Sequence, residues 1–318
     1  MKLGIVGYGN LGKACERVAQ FDGDIDEIGI FSRRDNVFSP YGNKVYKQSD
    51  VDKCDFDVLA LCVGSQNDLQ ELALSLVGKY NTVDSFDTHT KMADYALKMQ
   101  KIALKKHTLN FIGIGWDPGL FSLIRGLYAA IMPECNLQTF WGKGVSQGHS
   151  QALRNIDGVI DAKQYTIPQS NALKLAREGS VDVINEKDKH KRECYVVAKE
   201  GVDFQEIERK IKTMPDYFAG YETEVHFVDS NYFYNNCNGM EHGGVVLANK
   251  QIDNFMSRAE FGLKLDSNPL FTASVLVAYA KANYRMAKGG EYGVKTVLDI
   301  AISQILQGDW IDKVRAFI

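Results

Sequence analysis

Short apolar runs and stretches of helical periodicity alternate along the first third of the chain. The apolar runs predict buried strands over residues 3–6, 27–31, 57–63, 81–85 and 110–114. The periodic stretches between them predict helices over residues 10–21, 67–77 and 93–105. Strands that alternate with helices are typical of a parallel, doubly wound sheet. The pattern therefore predicts an α/β fold of the Rossmann type for a first domain, residues 1–118.

The pattern changes after residue 118. Strand-like segments at residues 137–141, 163–167, 192–198 and 221–228 are interrupted by predicted helices at residues 150–156, 169–178 and 203–212. This mixture predicts a second, α+β domain over residues 119–264 with a mixed or antiparallel sheet. Two final helices, over residues 269–286 and 294–306, are expected to pack back on the first domain, so that residues 265–318 belong to it.

Three glycines follow the first predicted strand at the spacing of the dinucleotide fingerprint. Gly7 allows a sharp turn, Gly9 allows the backbone to approach a pyrophosphate, and Gly12 allows close contact between helix and strand. The helix that follows directs its free N–H groups at the phosphates. The alternative is an ordinary glycine-rich turn, but the position between a strand and a helix favours a nucleotide site.

The end of the second predicted strand indicates which dinucleotide binds. An NAD site usually ends this strand with an acidic residue, which accepts hydrogen bonds from the ribose 2′-hydroxyl. Here the strand is followed by Ser32, Arg33 and Arg34. A hydroxyl and two guanidinium groups suit a 2′-phosphate, although arginines at this position can also be simply solvated. The sequence therefore predicts NADP as the cofactor.

Loops at the carboxyl ends of three further strands are expected at the same edge of the sheet. They cover residues 62–66, 86–89 and 115–119, and ligands bind at that edge in open α/β sheets. Two of these loops carry an aspartate, Asp87 and Asp117, which could serve as general acid or base. Either aspartate could instead cap a helix, and Asp117 stands before Pro118 and Gly119 as an N-cap would.

Composition and charge exclude several classes of function. The chain has 318 residues and a net charge of −3, so no strong field attracts it to nucleic acid. No apolar run approaches the ~18 residues of a membrane helix, and the first residues lead directly into a strand without a secretory leader. Its six cysteines form no CxxC pair and its histidines have no zinc-ligand spacing, so we expect reduced thiols, no metal and a cytoplasmic location.

Longer motifs give a more specific indication. Besides the fingerprint and Phe31-Ser32-Arg33-Arg34, they are Gly115-Trp116-Asp117-Pro118-Gly119, Phe140-Trp141, Ser146-Gln147-Gly148-His149-Ser150, His190-Lys191-Arg192, Thr213-Met214-Pro215-Asp216-Tyr217-Phe218, and Leu263-Lys264-Leu265-Asp266 with Asn268-Pro269. In these motifs the chain resembles, nearly end to end, the meso-diaminopimelate dehydrogenases, NADPH-dependent D-amino-acid dehydrogenases of bacterial lysine synthesis. Phe86 stands where the family has tyrosine, and Glu241 where it has proline.

The resemblance implies a reaction and a quaternary structure. The reaction is reversible oxidative deamination of the D-centre of meso-2,6-diaminopimelate, which yields L-2-amino-6-oxopimelate and ammonia. The resemblance also implies a homodimer formed through the second domain. Alternatives are a saccharopine-type dehydrogenase, a semialdehyde dehydrogenase and a nonenzymatic NADPH sensor. A semialdehyde dehydrogenase would need a catalytic cysteine in the second domain, and Cys135, Cys194 and Cys237 lack the expected setting.

The resemblance also assigns site residues. Asp87 and Asp117 would act at the D-centre, and which of them is the base stays open. His149 is expected to be a helix-start residue and no base. The residues expected to contact the substrate are Trp141, Gln147, Gly148, Thr166, Arg192, His242 and Asn268. Those expected to contact the cofactor are Gly7, Gly9, Asn10, Leu11, Gly12, Ser32, Arg33, Arg34, Cys62, Gly64, Ser65, Asp84 and Phe86.

Overall fold

A computed structural model describes residues 1–64, 68–179 and 184–318 of the chain. These residues form two units, one made of residues 1–123 and 269–318 and the other of residues 124–268. The predicted domain limits lie within a few residues of these bounds and stay predictions. Ser65, an expected cofactor contact, lies outside the described residues.

The described residues contain fourteen strands. In chain order they are β1 (Lys2–Val6), β2 (Glu27–Ser32), β3 (Lys44–Lys47), β4 (Val58–Leu61), β5 (Thr82–Asp84), β6 (Leu109–Phe111), β7 (Asn136–Trp141), β8 (Gly144–Val145), β9 (Val159–Pro168), β10 (His190–Ala198), β11 (Thr223–Phe227), β12 (His242–Ile252), β13 (Phe255–Leu265) and β14 (Gly293–Lys295).

Twelve α-helices accompany these strands in the described part of the chain. They are α1 (Asn10–Ala19), α2 (Leu69–Leu76), α3 (Met92–Lys106), α4 (Leu120–Ile131), α5 (Gln147–Arg154), α6 (Ser170–Glu178), α7 (Glu186–Lys189), α8 (Phe204–Lys212), α9 (Ser230–Asn236), α10 (Asn268–Lys288), α11 (Ile302–Ile305) and α12 (Trp310–Phe317). None is long and apolar enough to cross a bilayer.

The first unit is built on a parallel seven-stranded sheet with the order β14-β6-β5-β4-β1-β2-β3. Every strand pairing in it is parallel, which confirms the predicted doubly wound α/β fold. From β1 the chain adds β2 and β3 on one side, and β4, β5 and β6 on the other. The switch point of the sheet therefore lies between β1 and β4, where ligands bind in such folds.

Hydrophobic clusters cover both faces of this sheet. One joins Leu3 and Phe111 to Leu276 and Ala280 of α10, and the other joins Leu59 to residues of α2 and α3. The side chain of Asn283, also on α10 and fully buried, donates to the carbonyl oxygens of Thr82 (3.3 Å) and Leu109 (3.0 Å). The C-terminal helix is thus part of the first unit's core.

The prediction of a helix over residues 294–306 was wrong in its first half. Gly293–Lys295 form β14, the edge strand beside β6, and Val297–Asp299 form a 3-10 turn before the short α11. The amide of Ile112, just after β6, donates to the carbonyl oxygen of Lys295 (3.0 Å), and Val294 donates to the side chain of Gln100 on α3 (2.5 Å). The open edge of β6 therefore overrides the local helical pattern.

The second unit contains two sheets. One is mixed, with the order β11-β10-β9-β8, and the other is antiparallel, with the order β13-β12-β7. This confirms the predicted α+β class, although the long β12–β13 hairpin was not predicted. In the mixed sheet Arg192 of β10 lies opposite Thr166 of β9, which in turn lies opposite Gly144 of β8.

Candidate active site

The glycine-rich turn lies at the switch point of the sheet. Gly7 has a φ of +96°, and a Cβ there would lie 2.7 Å from Val63 Cγ1. A Cβ on Gly12 would lie 2.0 Å from the carbonyl oxygen of Gly7, so α1 could not approach the turn as closely. At Gly9 a Cβ would meet no atom within 4 Å, so the turn is open to a ligand at its middle glycine. These are the three functions expected of the fingerprint glycines.

A cavity of about 240 Å³ opens beside this turn. Seven of the expected cofactor contacts line it: Gly7, Gly9, Ser32, Arg33, Arg34, Cys62 and Gly64. Tyr8, Gln48 and Val63 also line it and were not predicted. Asn10, Leu11 and Gly12 lie in the first turn of α1, whose N–H groups point out of the helix end.

The charged end of this cavity fits a phosphate next to a ribose. The Ser32 hydroxyl accepts a hydrogen bond from the amide of Arg34 (3.0 Å), and the Arg34 guanidinium donates to the carbonyl oxygen of Tyr8. Arg33 forms an exposed ion pair with Asp68 (2.6 Å). Two guanidinium groups and a hydroxyl at one end of a glycine-lined cavity match the donor set that a 2′-phosphate needs.

A buried network fixes Tyr8 at the edge of the cavity. Glu16 of α1 is fully buried and accepts hydrogen bonds from the Tyr8 and Ser39 hydroxyls and from the Asn43 amide (2.7 Å). Burial and the hydrogen bond to Glu16 raise the pKa of Tyr8 above its ordinary value, so its hydroxyl stays a donor. Nothing in the local sequence indicates this network, because its members come from three separate segments.

Asp84 and Phe86 are buried inside the first unit. The Asp84 carboxylate accepts from the amides of Phe86 (2.9 Å) and Gly113 (3.2 Å) and from the Tyr95 hydroxyl (2.6 Å). Burial raises the pKa of Asp84, and these hydrogen bonds oppose that rise. Both side chains are fully buried, so only the main-chain atoms of this loop could contact a cofactor. The expected contact stays a prediction.

The two candidate acids follow neighbouring strands at one edge of the sheet. Asp87 follows β5 and is exposed, and Asp117 follows β6 and is half-buried. The two loops meet where the amide of Ile114 donates to the carbonyl oxygen of Asp84 (2.7 Å). Helix α4 begins at Leu120, three residues after Asp117. The acid–base role of Asp117 therefore stays a prediction beside the helix-cap alternative.

In the second unit, three predicted substrate contacts that are distant in sequence lie in one neighbourhood. The Arg192 guanidinium donates to the Thr166 hydroxyl (2.7 Å) across the β9–β10 pair. On the other side of Thr166, a Cβ on Gly144 would lie 2.3 Å from the His242 ring, so that ring contacts β8. The three side chains thus surround one end of the mixed sheet.

The guanidinium of Arg192 is well suited to bind a carboxylate. It is 8% exposed, lies 4.2 Å from the centre of the Tyr221 ring, and its Nε has no hydrogen-bond partner among the described residues. Burial lowers the pKa of Arg192, an effect that Tyr221 opposes, and an arginine stays charged even so. A desolvated cation with an unused N–H group favours an anionic ligand.

Gln147 and Gly148 are the first two residues of α5, which begins three residues earlier than predicted. Ser146 is the N-cap and accepts from the amide of His149 (3.4 Å). The His149 ring lies edge-on against Tyr217 and Phe218, so the motifs at residues 146–150 and 213–218 meet here. Burial and the charge of Arg192 lower the pKa of His149 to about 4.

The remaining predicted contacts lie at element ends. Trp141 ends β7, where its amide donates to His190 Nε2 (2.8 Å). Asn268 begins α10, and its amide donates to the carbonyl oxygen of Met240 (2.9 Å), shortly before β12. A cavity of about 600 Å³ between β12, β13 and α6 has His242 in its wall, whereas Trp141, Thr166 and Arg192 are not among its described lining residues.

One group of potential metal ligands occurs among the described residues. Glu193, Glu224 and His226 have ligand atoms within 4.8 Å of one another on β10 and β11. Lys191 already pairs with Glu224 (2.8 Å), and the Tyr195 hydroxyl donates to Glu193 (2.8 Å). The group therefore forms a surface hydrogen-bond and ion-pair network.

The chain is similar to known proteins over nearly its whole length. Residues 115–267 match the family model of the diaminopimelic acid dehydrogenase C-terminal domain. A meso-diaminopimelate D-dehydrogenase of Acetivibrio thermocellus is 47% identical over 94% of this chain and 92% of its own. The Corynebacterium glutamicum enzyme of the same name is 43% identical over 95% of this chain and 94% of its own.

Two solved structures are also similar over the whole chain. The C. glutamicum DAP dehydrogenase in complex with DAP is 41% identical and has a TM-score of 0.95, with 100% of this chain and 99% of that chain covered. An engineered D-amino acid dehydrogenase bound to NADP+ is 40% identical with a TM-score of 0.90 and the same coverage.

Proposed function

The chain belongs to the meso-diaminopimelate D-dehydrogenase family, and we propose that it deaminates the D-centre of meso-2,6-diaminopimelate with NADP+. The products are L-2-amino-6-oxopimelate, whose cyclic form is tetrahydrodipicolinate, together with ammonia and NADPH. In reverse, the reaction supplies an intermediate of lysine synthesis. The observation that carries this proposal is an identity of 47% sustained over 94% of the chain.

The cofactor is assigned to the cavity at the switch point. The glycine turn and the first turn of α1 would bind the pyrophosphate, and Ser32, Arg33 and Arg34 would bind the 2′-phosphate. The bound nicotinamide supplies the hydride acceptor. The absence of an acidic residue at the end of β2 supports NADP over NAD, because an acid there would repel the extra phosphate.

The two aspartates are assigned to the reacting amine. The substrate ammonium must lose a proton before its α-carbon can release a hydride, and a carboxylate within reach can accept that proton. The other carboxylate would stabilise the cationic imine until water adds and ammonia leaves. Asp87 and Asp117 follow adjacent strands at the edge where the cofactor cavity opens, which supports this assignment.

The residues of the second unit are assigned to substrate recognition. We assign the carboxylate of the distal L-centre to Arg192, Thr166 and His242, because they combine a desolvated cation with a hydroxyl and an imidazole ring. Asn268 would accept from the distal amine through its side-chain carbonyl. Trp141, Gln147 and Gly148 would contact the rest of the substrate, the indole N–H as a donor.

The semialdehyde dehydrogenase alternative has less support. Such an enzyme needs a thiolate nucleophile, and thiols become reactive when their pKa falls. In the second unit burial raises the pKa of Cys194 to about 12, and burial also raises the pKa of Cys237. Neither is therefore a good nucleophile.

We also propose a homodimer that acts in the cytoplasm. The second unit exposes several large apolar side chains, among them Ile252 and Phe255 at the β12–β13 turn, at 61% and 79% exposure. All six cysteines are free thiols, four of them buried, which suits a reducing compartment. Light scattering on the purified protein should give twice the chain mass, and a monomer mass would reject the dimer.

The proposed activity is tested by following NADPH formation with NADP+ and, separately, meso-, L,L- and D,D-diaminopimelate. We expect fast reduction with the meso isomer and no reduction with the L,L isomer, which has no D-centre. A much slower reaction with D,D would show that the distal L-centre is recognised. No turnover with any isomer, together with tight NADPH binding, would reject the proposal in favour of the sensor.

A further inference from the structure

We propose that His190 is a positioning residue that fixes Trp141 for substrate binding. Its Nε2 accepts the main-chain N–H of Trp141 at 2.8 Å, and its ring stacks on the indole with ring centres 5.3 Å apart and planes 28° apart. The inference rests on the proposed function, since it takes Trp141 to contact the substrate. It assigns a role to a motif residue that the proposed function leaves unused.

The contact joins the buried His190 ring to the half-buried Trp141 and gives the Trp141 N–H an acceptor. His190 is 2% exposed and begins β10, whereas Trp141 ends β7. The Trp141 N–H donates to His190 rather than to the β12 ladder, so without the imidazole it would lose this hydrogen bond. A buried N–H without a partner is costly, and the chain would shift to satisfy it.

The chemistry of the ring suits a permanent acceptor. Nε2 accepts only in the neutral ring whose proton is on Nδ1. Burial, together with the charges of Arg192 and Lys189, lowers the pKa of His190 to about 3. The acceptor form therefore persists at any pH at which the enzyme works.

His190 also connects the two sheets of the second unit. β7 belongs to the antiparallel sheet and β10 to the mixed sheet. His190 and Arg192 lie two residues apart on β10, so their side chains point to the same face. Through His190 the indole of Trp141 is held in a fixed position relative to the guanidinium of Arg192. Loss of this contact should weaken substrate binding more than it slows hydride transfer.

Two variants separate the two parts of the contact. His190→Phe keeps a ring for stacking and removes the acceptor, whereas His190→Gln keeps an acceptor at a similar reach and removes the ring. We expect His190→Phe to raise KM for meso-diaminopimelate about tenfold with little change in kcat, and His190→Gln to recover most of that loss. Lys191→Ala, on the opposite face of β10, is the matched control and should keep the wild-type KM.

A double-mutant cycle shows whether His190 acts through Trp141. In a Trp141→Phe background, His190→Phe should add little to KM, because the indole that it positions is gone. The proposal would be overturned if the two substitutions raised KM independently, so that their fold-changes multiplied. It would also be overturned by a wild-type KM for His190→Phe. NADPH affinity should be unchanged in every variant, and its loss would show general damage to the fold instead of positioning.

Amide hydrogen exchange at Trp141 tests the contact without substrate. His190→Phe should speed this exchange at least tenfold relative to wild type, and His190→Gln should restore protection. If wild type fails to oxidise meso-diaminopimelate, the proposed function fails while this measurement still decides the contact. Unchanged exchange in His190→Phe would overturn the positioning role.

Discussion

Arg33 and Arg34 differ in what holds them at the cofactor cavity. Arg34 donates to a main-chain carbonyl of the turn, whereas Arg33 pairs with Asp68 and is largely exposed. We expect Arg33→Ala with Arg34→Ala to weaken NADPH binding by about 1.5–3 kcal/mol for each charged hydrogen bond lost. NADH binding should change little. Calorimetric titration with both cofactors measures this, and an equal loss for both would contradict the 2′-phosphate assignment.

The candidate acids make a separate prediction. Asp117→Asn and Asp87→Asn remove a proton acceptor but keep side-chain volume. Because general acid–base groups contribute about 10²- to 10⁴-fold, the variant of the true base should lose kcat by this order while NADPH affinity is retained. Steady-state rates and cofactor titrations of both variants identify the base. Unchanged turnover in both would remove the aspartates from the mechanism.

At the residue scale, the sequence predicted those features of the site that depend on residues close together in the chain. Gly12 is required by its close approach to the carbonyl oxygen of Gly7, and Gly7 by its φ of +96°, so their spacing in one turn predicted a nucleotide cavity. The hydrogen bonds from Tyr8 and Asn43 to Glu16 join residues up to 27 positions apart, and no local pattern indicates them. His190 stands first in the His190-Lys191-Arg192 motif, but nothing in the sequence indicates its contact with Trp141.

The short strand β8 shows how a whole element can serve a site. Gly144 pairs with Thr166, and the His242 ring packs against Gly144 where a Cβ would stand. In Gly144→Ala the new Cβ would displace that ring, so we expect KM for the substrate to rise and stability to fall by about 1–3 kcal/mol. Kinetics and thermal unfolding test this prediction.

The matched control for β8 is Gly262→Ala on β13. Its Cβ would meet only Val245 Cγ1, at an ordinary 3.6 Å. We therefore expect wild-type KM and stability in this variant. If Gly144→Ala behaved like this control, the His242 ring would not depend on β8 for its position.

At the element scale, hydrophobic periodicity predicted the helices that bury one face. It did not predict strands that form only because they pair with the edge of a sheet. Helix α3 was predicted within one residue at each end. β14 was missed because Val294 pairs with an edge that only the folded sheet provides. The start of α5 was misplaced because Ser146, its N-cap, and Gly148, a poor helix former, read as a turn.

At the scale of the whole molecule, an ion pair joins the first part of the chain to its last long helix. Lys281 of α10 contacts Asp22, after α1, at 2.5 Å. Burial acts to raise the pKa of Asp22, but the hydrogen bonds from Lys281 and from the Asp24 amide, together with the charges of Lys281 and Arg285, lower it overall. A lowered folded-state pKa means that this stabilisation is complete above the ordinary value of 3.8 and is lost as the pH falls through the folded value.

We therefore expect the free energy of unfolding to fall as the pH drops below about 4, and to fall less steeply in Lys281→Met. Urea unfolding at a series of pH values measures this slope. Lys313→Met is a control, because this lysine donates only to a main-chain carbonyl among its described contacts. An unchanged slope in Lys281→Met would assign the acid sensitivity to other carboxylates.

The first unit is assembled from both ends of the chain, and this has a consequence for synthesis. A ribosome adds roughly 5–20 residues per second, so β1 to β6 emerge well before α10. Until Asn283 has left the ribosome, the carbonyls of Thr82 and Leu109 lack its donors and one apolar sheet face lacks its cover. Residues 124–268, by contrast, are complete by then. We therefore expect the nascent nucleotide-binding sheet to stay incomplete, and accessible to chaperones, until α10 has emerged.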